Sequence, residues 1–171
     1  MPVCLKKDFS YRIVDETPDY FIIQTACLRT IKKAKLIEIV NDREIITHLP
    51  AEQACYLGIR LAIEVKNGNI STNHFTCIIP LTEADDSVVI EYETRDKELF
   101  CFNRDTETSV LLDPRNIALN SELLNTFTSR QSFYIGFLSG TLSYSKPLKK
   151  SGVAKKPPQL RLVVNNVSRD H

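Results

Sequence analysis

Short apolar stretches rich in β-branched and aromatic residues, bounded by turn residues, set the pattern of this chain. SYRIVDE (10–16) and YFIIQT (20–25) are separated by TPD at 17–19, and VVIEYET (88–94) and ELFCFN (98–103) by RDK at 95–97. Each pair reads as two strands and a tight turn. TSVLLD (108–113) predicts a third strand that stops at Pro114, whereas the alanine and lysines of TIKKAKLIEIV (30–40) suit a helix. The pattern then becomes helical, with a short helix and a longer one over 50–65, and the same again ending in 128–143. FTCII (75–79) and LRLVV (160–164) predict a closing strand after each longer helix.

These elements repeat. Shifted by 78 residues, EIITHLPAEQACYLGIRLA (44–62) meets ELLNTFTSRQSFYIGFLSG (122–140) with four identities in 19 positions: Glu44/Glu122, Gln53/Gln131, Tyr56/Tyr134 and Gly58/Gly136. Average composition gives roughly one identity in such a window. The same shift superimposes both strand pairs without a gap, and a shift of 85 aligns the closing strands, so the second copy holds seven extra residues after its helix. The expected architecture is an α+β domain formed by tandem duplication of a strand-strand-(strand)-helix-helix-strand unit. Copy one spans 10–82 and copy two spans 88–166, with an N-terminal extension at 1–9 and a tail at 167–171. A unit of this size buries little surface alone, so the copies are expected to share one core about a pseudo-two-fold axis, with a mixed sheet as an option.

The repeated helix residues have structural readings. Pro50 suits the first helical position, Asn67-Gly68 an end, and Thr128-Ser-Arg-Gln131 a capping box that gives Gln131, and by extension Gln53, a role. Ala54, Gly58 and Ala62, with Ser132, Gly136 and Gly140 as their mates, form a small-residue face on each long helix. A glycine inside a helix costs about 1 kcal/mol relative to alanine, so keeping it twice implies close backbone approach, most simply between the two faces. Gln53, Tyr56 and Arg60 share another face, matched by Gln131, Tyr134 and Leu138. Core packing is the plainer account of the tyrosines. The alternative is a pair of unequal partner-binding surfaces, because Arg60 is exchanged for Leu138.

Composition changes the picture in one place. The chain has 171 residues and a net charge of +1, but KPLKKSGVAKKPP (146–158) holds Lys146, Lys149, Lys150, Lys155 and Lys156 and no acid. Without them, 17 basic residues face 21 acidic ones. A mildly acidic body therefore carries one basic loop, suited to solubility, to weak contact with nucleic acid or an anionic surface, or to an acidic protein. With no Arg and only Tyr144 nearby, base readout is not expected of it. No apolar run reaches the ~20 residues of a membrane helix, no signal-peptide core is present, and five scattered cysteines suggest a reducing, cytoplasmic setting.

Candidate chemistry is thin. His48, His74 and His171 show no metal-ligand spacing, and Glu83, Asp85 and Asp86 read as a solvated linker. No catalytic residue, metal or cofactor is assigned. The expectation is a non-catalytic protein-protein interaction module: an adaptor, regulator or subunit of a larger assembly. The competing readings are a nucleic-acid-associated protein using the lysine loop, a small-molecule sensor with its pocket between the copies, and an enzyme with a non-sequential site.

Overall fold

The structure, a computed structural model, describes residues 11–25, 30–71, 86–93 and 96–143. The first half runs β1 (Tyr11–Glu16), β2 (Phe21–Thr25), β3 (Ile31–Ala34), α1 (Leu36–Val40), α2 (Arg43–Thr47) and α3 (Ala51–Lys66). The second runs β4 (Val88–Glu93), β5 (Glu98–Asn103), β6 (Thr108–Leu112), α4 (Pro114–Ala118), α5 (Ser121–Leu124) and α6 (Ser129–Ser143). The fold is α+β, with two three-stranded antiparallel sheets ordered β1-β2-β3 and β4-β5-β6. In the central strands Phe21 and Ile23, and Leu99 and Cys101, point inward, as the period of two demands. β1 carries a bulge between Ile13 and Asp15, which places Val14 outside the regular pairing.

Two sequence expectations need correction. Residues 30–40 are not one helix: Ile31–Ala34 pairs with Gln24–Phe21 as β3, and only Leu36–Val40 is helical. Strand pairing with β2 overrides the helix preference of alanine and lysine, and Ala34 goes into the core. Pro50 caps α3 from outside the helix rather than opening it, with an extended ψ of 143° and its carbonyl accepting from the Ala54 N–H. All strand pairs among the described residues are antiparallel. The expected closing strands at 75–79 and 160–164, the lysine loop and the terminal segments at 1–9 and 167–171 lie outside the described residues.

Local signals explain the short helices. The Asp42 carboxylate accepts from the Glu44 and Ile45 amides at 3.1 and 3.2 Å, and the Asn120 side chain accepts from the Leu123 amide at 3.1 Å. Asp113 caps α4, accepting from the Arg115 amide at 2.8 Å, and Pro114 follows at a position where no N–H is needed. Arg115 also pairs with the Asp113 carboxylate at 2.6 Å, and this hydrogen bonding holds the carboxyl below its usual pKa. A carboxyl depressed by folding adds stability that is fully present above its unfolded value and lost as pH falls through its folded value. The urea midpoint of the wild type is therefore expected to exceed that of Asp113→Asn at pH 6, with the gap closing as pH falls below the ordinary carboxylate value of about 4. A gap that persists at low pH would show that the charge contributes nothing.

Among the described residues, the buried side chains form two clusters that the long helices connect. One contains Phe21, Ile23, Ile39, Ile46, Leu57 and Leu61, and the other Ile90, Leu99, Ile117, Leu124, Ile135 and Leu138. Each borrows from the opposite long helix. Phe133 and Phe137 of α6 join the first cluster, and Cys55 and Ile59 of α3 join the second. This exchange happens where α3 and α6 cross. A Cβ on Gly58 would lie 2.0 Å from the Phe133 carbonyl oxygen, and one on Gly136 would lie 2.0 Å from that of Cys55. A Cβ on Gly140 would meet the Ala62 methyl at 2.7 Å. Ala54, Ala62 and Ser132 are buried around the same seam. The Ser129 hydroxyl donates to the Leu49 carbonyl beside it.

Candidate functional site

Three places merit chemical inspection, and the first is the face of α3 that carries Gln53, Tyr56 and Arg60. Three- and four-residue spacing aligns them along the helix, facing β1. Gln53 uses both ends of its amide on Ile13, accepting from its N–H at 2.8 Å and donating to its C=O at 2.9 Å, which satisfies the strand beside its bulge. The Tyr56 hydroxyl donates to Glu16 at 2.6 Å, and burial raises its pKa. Arg60 pairs with the same carboxylate, donates to the Tyr56 hydroxyl at 3.2 Å and stands 5.7 Å from the Phe21 ring. These three side chains are engaged within their own half.

The matching face of α6 differs in chemistry. Gln131 is 1% exposed, accepts from the Thr128 amide at 3.1 Å and donates to the Val88 carbonyl of β4 at 2.7 Å. Its own N–H reaches the Thr128 hydroxyl at 3.2 Å, completing a capping box. Tyr134 and Leu138 pack with the second core. Where α3 has Arg60 and its partner Glu16, the positions 78 residues further on are Leu138 and Thr94.

The second place is a cleft of about 390 Å³ between the halves, lined by Thr47, Ala51, Asp86, Phe127, Ser129 and Arg130, among others. The guanidinium-bearing Arg130 is only 4% exposed there. Thr128 and Ser129 mark the start of α6, so the lining is polar at that end and aromatic at Phe127.

The third place is the outer face of the second sheet. The register puts Glu91, Phe100 and Leu111 in one row and Glu93 directly opposite Glu98 in the next. Glu91, Glu93, Asp96, Glu98, Phe100 and Leu111 line an open groove of about 450 Å³. Phe100 is 36% exposed and Leu111 55%. The first sheet presents a different outer face: Arg12 pairs with Gln24, Asp15 with Ile22, and Ile22 with Lys33. Lys33 stands 4.0 Å from the Tyr20 ring. The charged tip was legible in EYETRDKE, but the apolar floor beneath it was missed. ELFCFN offered the signal, because its apolar residues fall on both parities and cannot all face one core.

Redox and metal chemistry find little here. Burial pushes the Cys55 thiol up to about 12 and the Cys101 thiol to about 11, away from nucleophilic reactivity. The His48 ring is 2.9 Å from the Glu44 carbonyl of its own helix. Among the described residues, no group of three or more His, Cys, Asp or Glu side chains is placed to hold a metal ion, and no helix is long and apolar enough to cross a membrane. Lys146, Lys149, Lys150, Lys155 and Lys156 lie outside the described residues. No protein family matches the chain, and no curated protein or solved structure is significantly similar to it.

Proposed function

We propose that this chain is a non-catalytic protein-protein interaction module, an adaptor, regulator or subunit of a larger assembly, working in a reducing cytoplasm. The observation that carries the reading is the outer face of β4-β5-β6. Exposed Phe100 and Leu111 form an apolar floor, and four carboxylates rim it. Glu93 stands directly opposite Glu98, so two carboxylates share one end of the groove. Carboxylates gathered around exposed apolar groups fit a surface kept for a partner. The inward-turned face of Gln53, Tyr56 and Arg60 has a smaller part in this reading than the sheet does.

The reading includes origin by tandem duplication about a pseudo-two-fold axis through the α3–α6 crossing. Supporting it, β3 and β6 end 78 residues apart at Ala34 and Leu112, as α1 and α4 do at Val40 and Ala118. Asp42 and Asn120 cap equivalent helices, and the Gly58–Phe133 contact is mirrored by Gly136–Cys55. Duplication supplies two sheets on one scaffold, and divergence has made their open faces chemically unequal.

Affinity capture from the native cell tests the function. The wild-type chain is expected to retain a stoichiometric partner that Phe100→Ser/Leu111→Ser loses, with unchanged far-UV circular dichroism and urea midpoint. Recovery of the wild type without any stoichiometric partner would overturn the proposal. A second reading, small-molecule sensing, draws on the polar cleft at Arg130 between the halves. It requires a metabolite that raises Tm and loses that effect in Ser129→Leu.

A further inference from the structure

The two sheets carry outer faces of opposite charge, and neither can reach the other within one chain. We propose that they join between chains: the outer face of β1-β2-β3 in one copy docks on the outer face of β4-β5-β6 in the next. The proposal rests on the reading of the second sheet as a docking surface and commits to its occupant, a second copy of this chain.

Charge complementarity is the first support. The register sets Arg12, Gln24 and Ile31 in one outward row of the first sheet and Asp15, Ile22 and Lys33 in the next. Around this face Arg12, Lys32, Lys33 and Lys35 are exposed against Asp15 and Asp19, an excess of two positive charges. Lys33 and Lys35 gather at the Tyr20 ring, 4.0 and 6.0 Å from its centre. Glu16 does not offset them, because Arg60 holds it. On the second sheet Glu91, Asp96 and Glu98 stand against Lys97, an excess of two negative charges. Glu93 is already engaged and is not counted. Among the described residues, no ion pair occupies Arg12, Lys33, Glu91, Asp96 or Glu98.

Apolar surface and topology are the second support. Ile31 is 68% exposed on the first face, and Phe100 and Leu111 lie open on the second. Sheets stacked face to face lie about 10 Å apart, close enough for such side chains to interdigitate and for charges beside them to pair. Phe21 and Ile23 share a core with Leu57 and Leu61 of α3, and Ile90 and Leu99 share one with Ile135 and Leu138 of α6. Both outer faces therefore turn away from the helices, and only a second chain can bring them together. Pairing two second-sheet faces would set carboxylate against carboxylate, which disfavours it. A contact between unlike faces is heterologous: a dimer leaves one face of each kind open, so association continues to a ring or a linear chain. Exposed ion pairs are individually weak, so the contact is expected to be modest in affinity and sensitive to salt.

Sedimentation velocity of the full chain, from about 10 μM to about 1 mM, tests this. At low salt the average mass of the wild type should rise with concentration past that of a dimer. The apparent Kd should increase severalfold at about 0.5 M NaCl, where the screening length is about 4 Å. Ile31→Ser/Lys33→Ser spoils the first face and Phe100→Ser/Leu111→Ser the second, and each variant alone should stay monomeric with an unchanged urea midpoint. Mixed in equal amounts, they should form a 1:1 heterodimer that grows no further, because each supplies the face the other lacks. Arg12→Ser/Lys33→Ser, which removes two exposed cations and no apolar side chain, should weaken association about tenfold. A wild type that remains monomeric throughout overturns the proposal. So does an assembly that Ile31→Ser/Lys33→Ser and Arg12→Ser/Lys33→Ser both leave intact, since it would use the second face alone. Neither result touches the docking surface itself, which stands or falls on loss of the captured partner in Phe100→Ser/Leu111→Ser.

Discussion

Replacing Gly58 with alanine is expected to lower the stability of this protein by about 3 kcal/mol or more, the upper end of overpacking penalties. The added methyl carbon would sit 2.0 Å from the Phe133 carbonyl oxygen and 2.7 Å from the Phe137 nitrogen. Both obstacles are backbone, so no side-chain rotation relieves them. The helices must separate, and separation loosens Cys55 and Ile59 in one core and Phe133 and Phe137 in the other. Against this, alanine gains only about 1 kcal/mol in helix propensity. For a chain of this size the loss corresponds to a fall in Tm of about 6–12 °C. Gly136→Ala should behave alike, because its methyl would strike the Cys55 carbonyl oxygen at 2.0 Å. Gly140→Ala should be milder, since it meets a methyl group at 2.7 Å rather than a carbonyl. Gly68→Ala is the control for backbone conformation alone: nothing lies within 4 Å, and only its φ of +77° is unfavourable. Urea unfolding of the four variants checks the order. A Gly58→Ala protein as stable as Gly68→Ala would refute the close crossing.

Gln131→Leu is expected to be nearly as damaging, for a polar rather than a steric reason. Leucine has similar bulk but leaves the Val88 carbonyl and the Thr128 amide without the partners that Gln131 provides. A buried polar group left unsatisfied costs about 1–3 kcal/mol; the Val88 carbonyl loses its buried partner, and the part-buried Thr128 amide loses its own. Gln53→Leu should be gentler, because its bonds to Ile13 lie in a part-buried position that water can reach. Gln131→Glu separates the two bonds. The carboxylate still accepts from Thr128 but faces the Val88 carbonyl with no proton to donate. The introduced carboxyl should therefore have a folded pKa above its unfolded one. Its deficit is then small below about pH 4 and grows as pH rises toward neutrality. A pH-independent deficit in the urea midpoint would mean that the donor bond to β4 is not what Gln131 supplies.

Much of the scaffold was legible before any tertiary contact was known. The strand pairs at 10–25 and 88–103, the capping box at Thr128–Gln131 and the paired small faces are all signals spanning a few residues. The Asp113-Pro114 cap was equally local but was read only as the end of a strand, since a five-residue helix shows too little periodicity to stand out. Residues 30–40 misled for the opposite reason. Their helical composition was plain, and the β2 ladder that overrode it belongs to another part of the chain. Glu16 was invisible as the partner of Arg60 because 44 residues separate them.

By itself, then, the sequence determined most of the strands, the two long helices, the capping box at Thr128–Gln131 and the requirement for close approach at Gly58 and Gly136. Those follow from hydrogen bonds, torsional preferences and side-chain bulk acting within one turn or one strand. Only the tertiary structure decided what approaches each glycine, how Cys55 and Phe133 come to stand in each other's cores, and which face of β4-β5-β6 remains open. Such choices depend on packing between residues 40 to 80 positions apart. There, the direction a strand residue faces depends on which of its neighbours reaches the core. The exposed Phe100 and Leu111 are the product of that choice, and the proposed function starts from them.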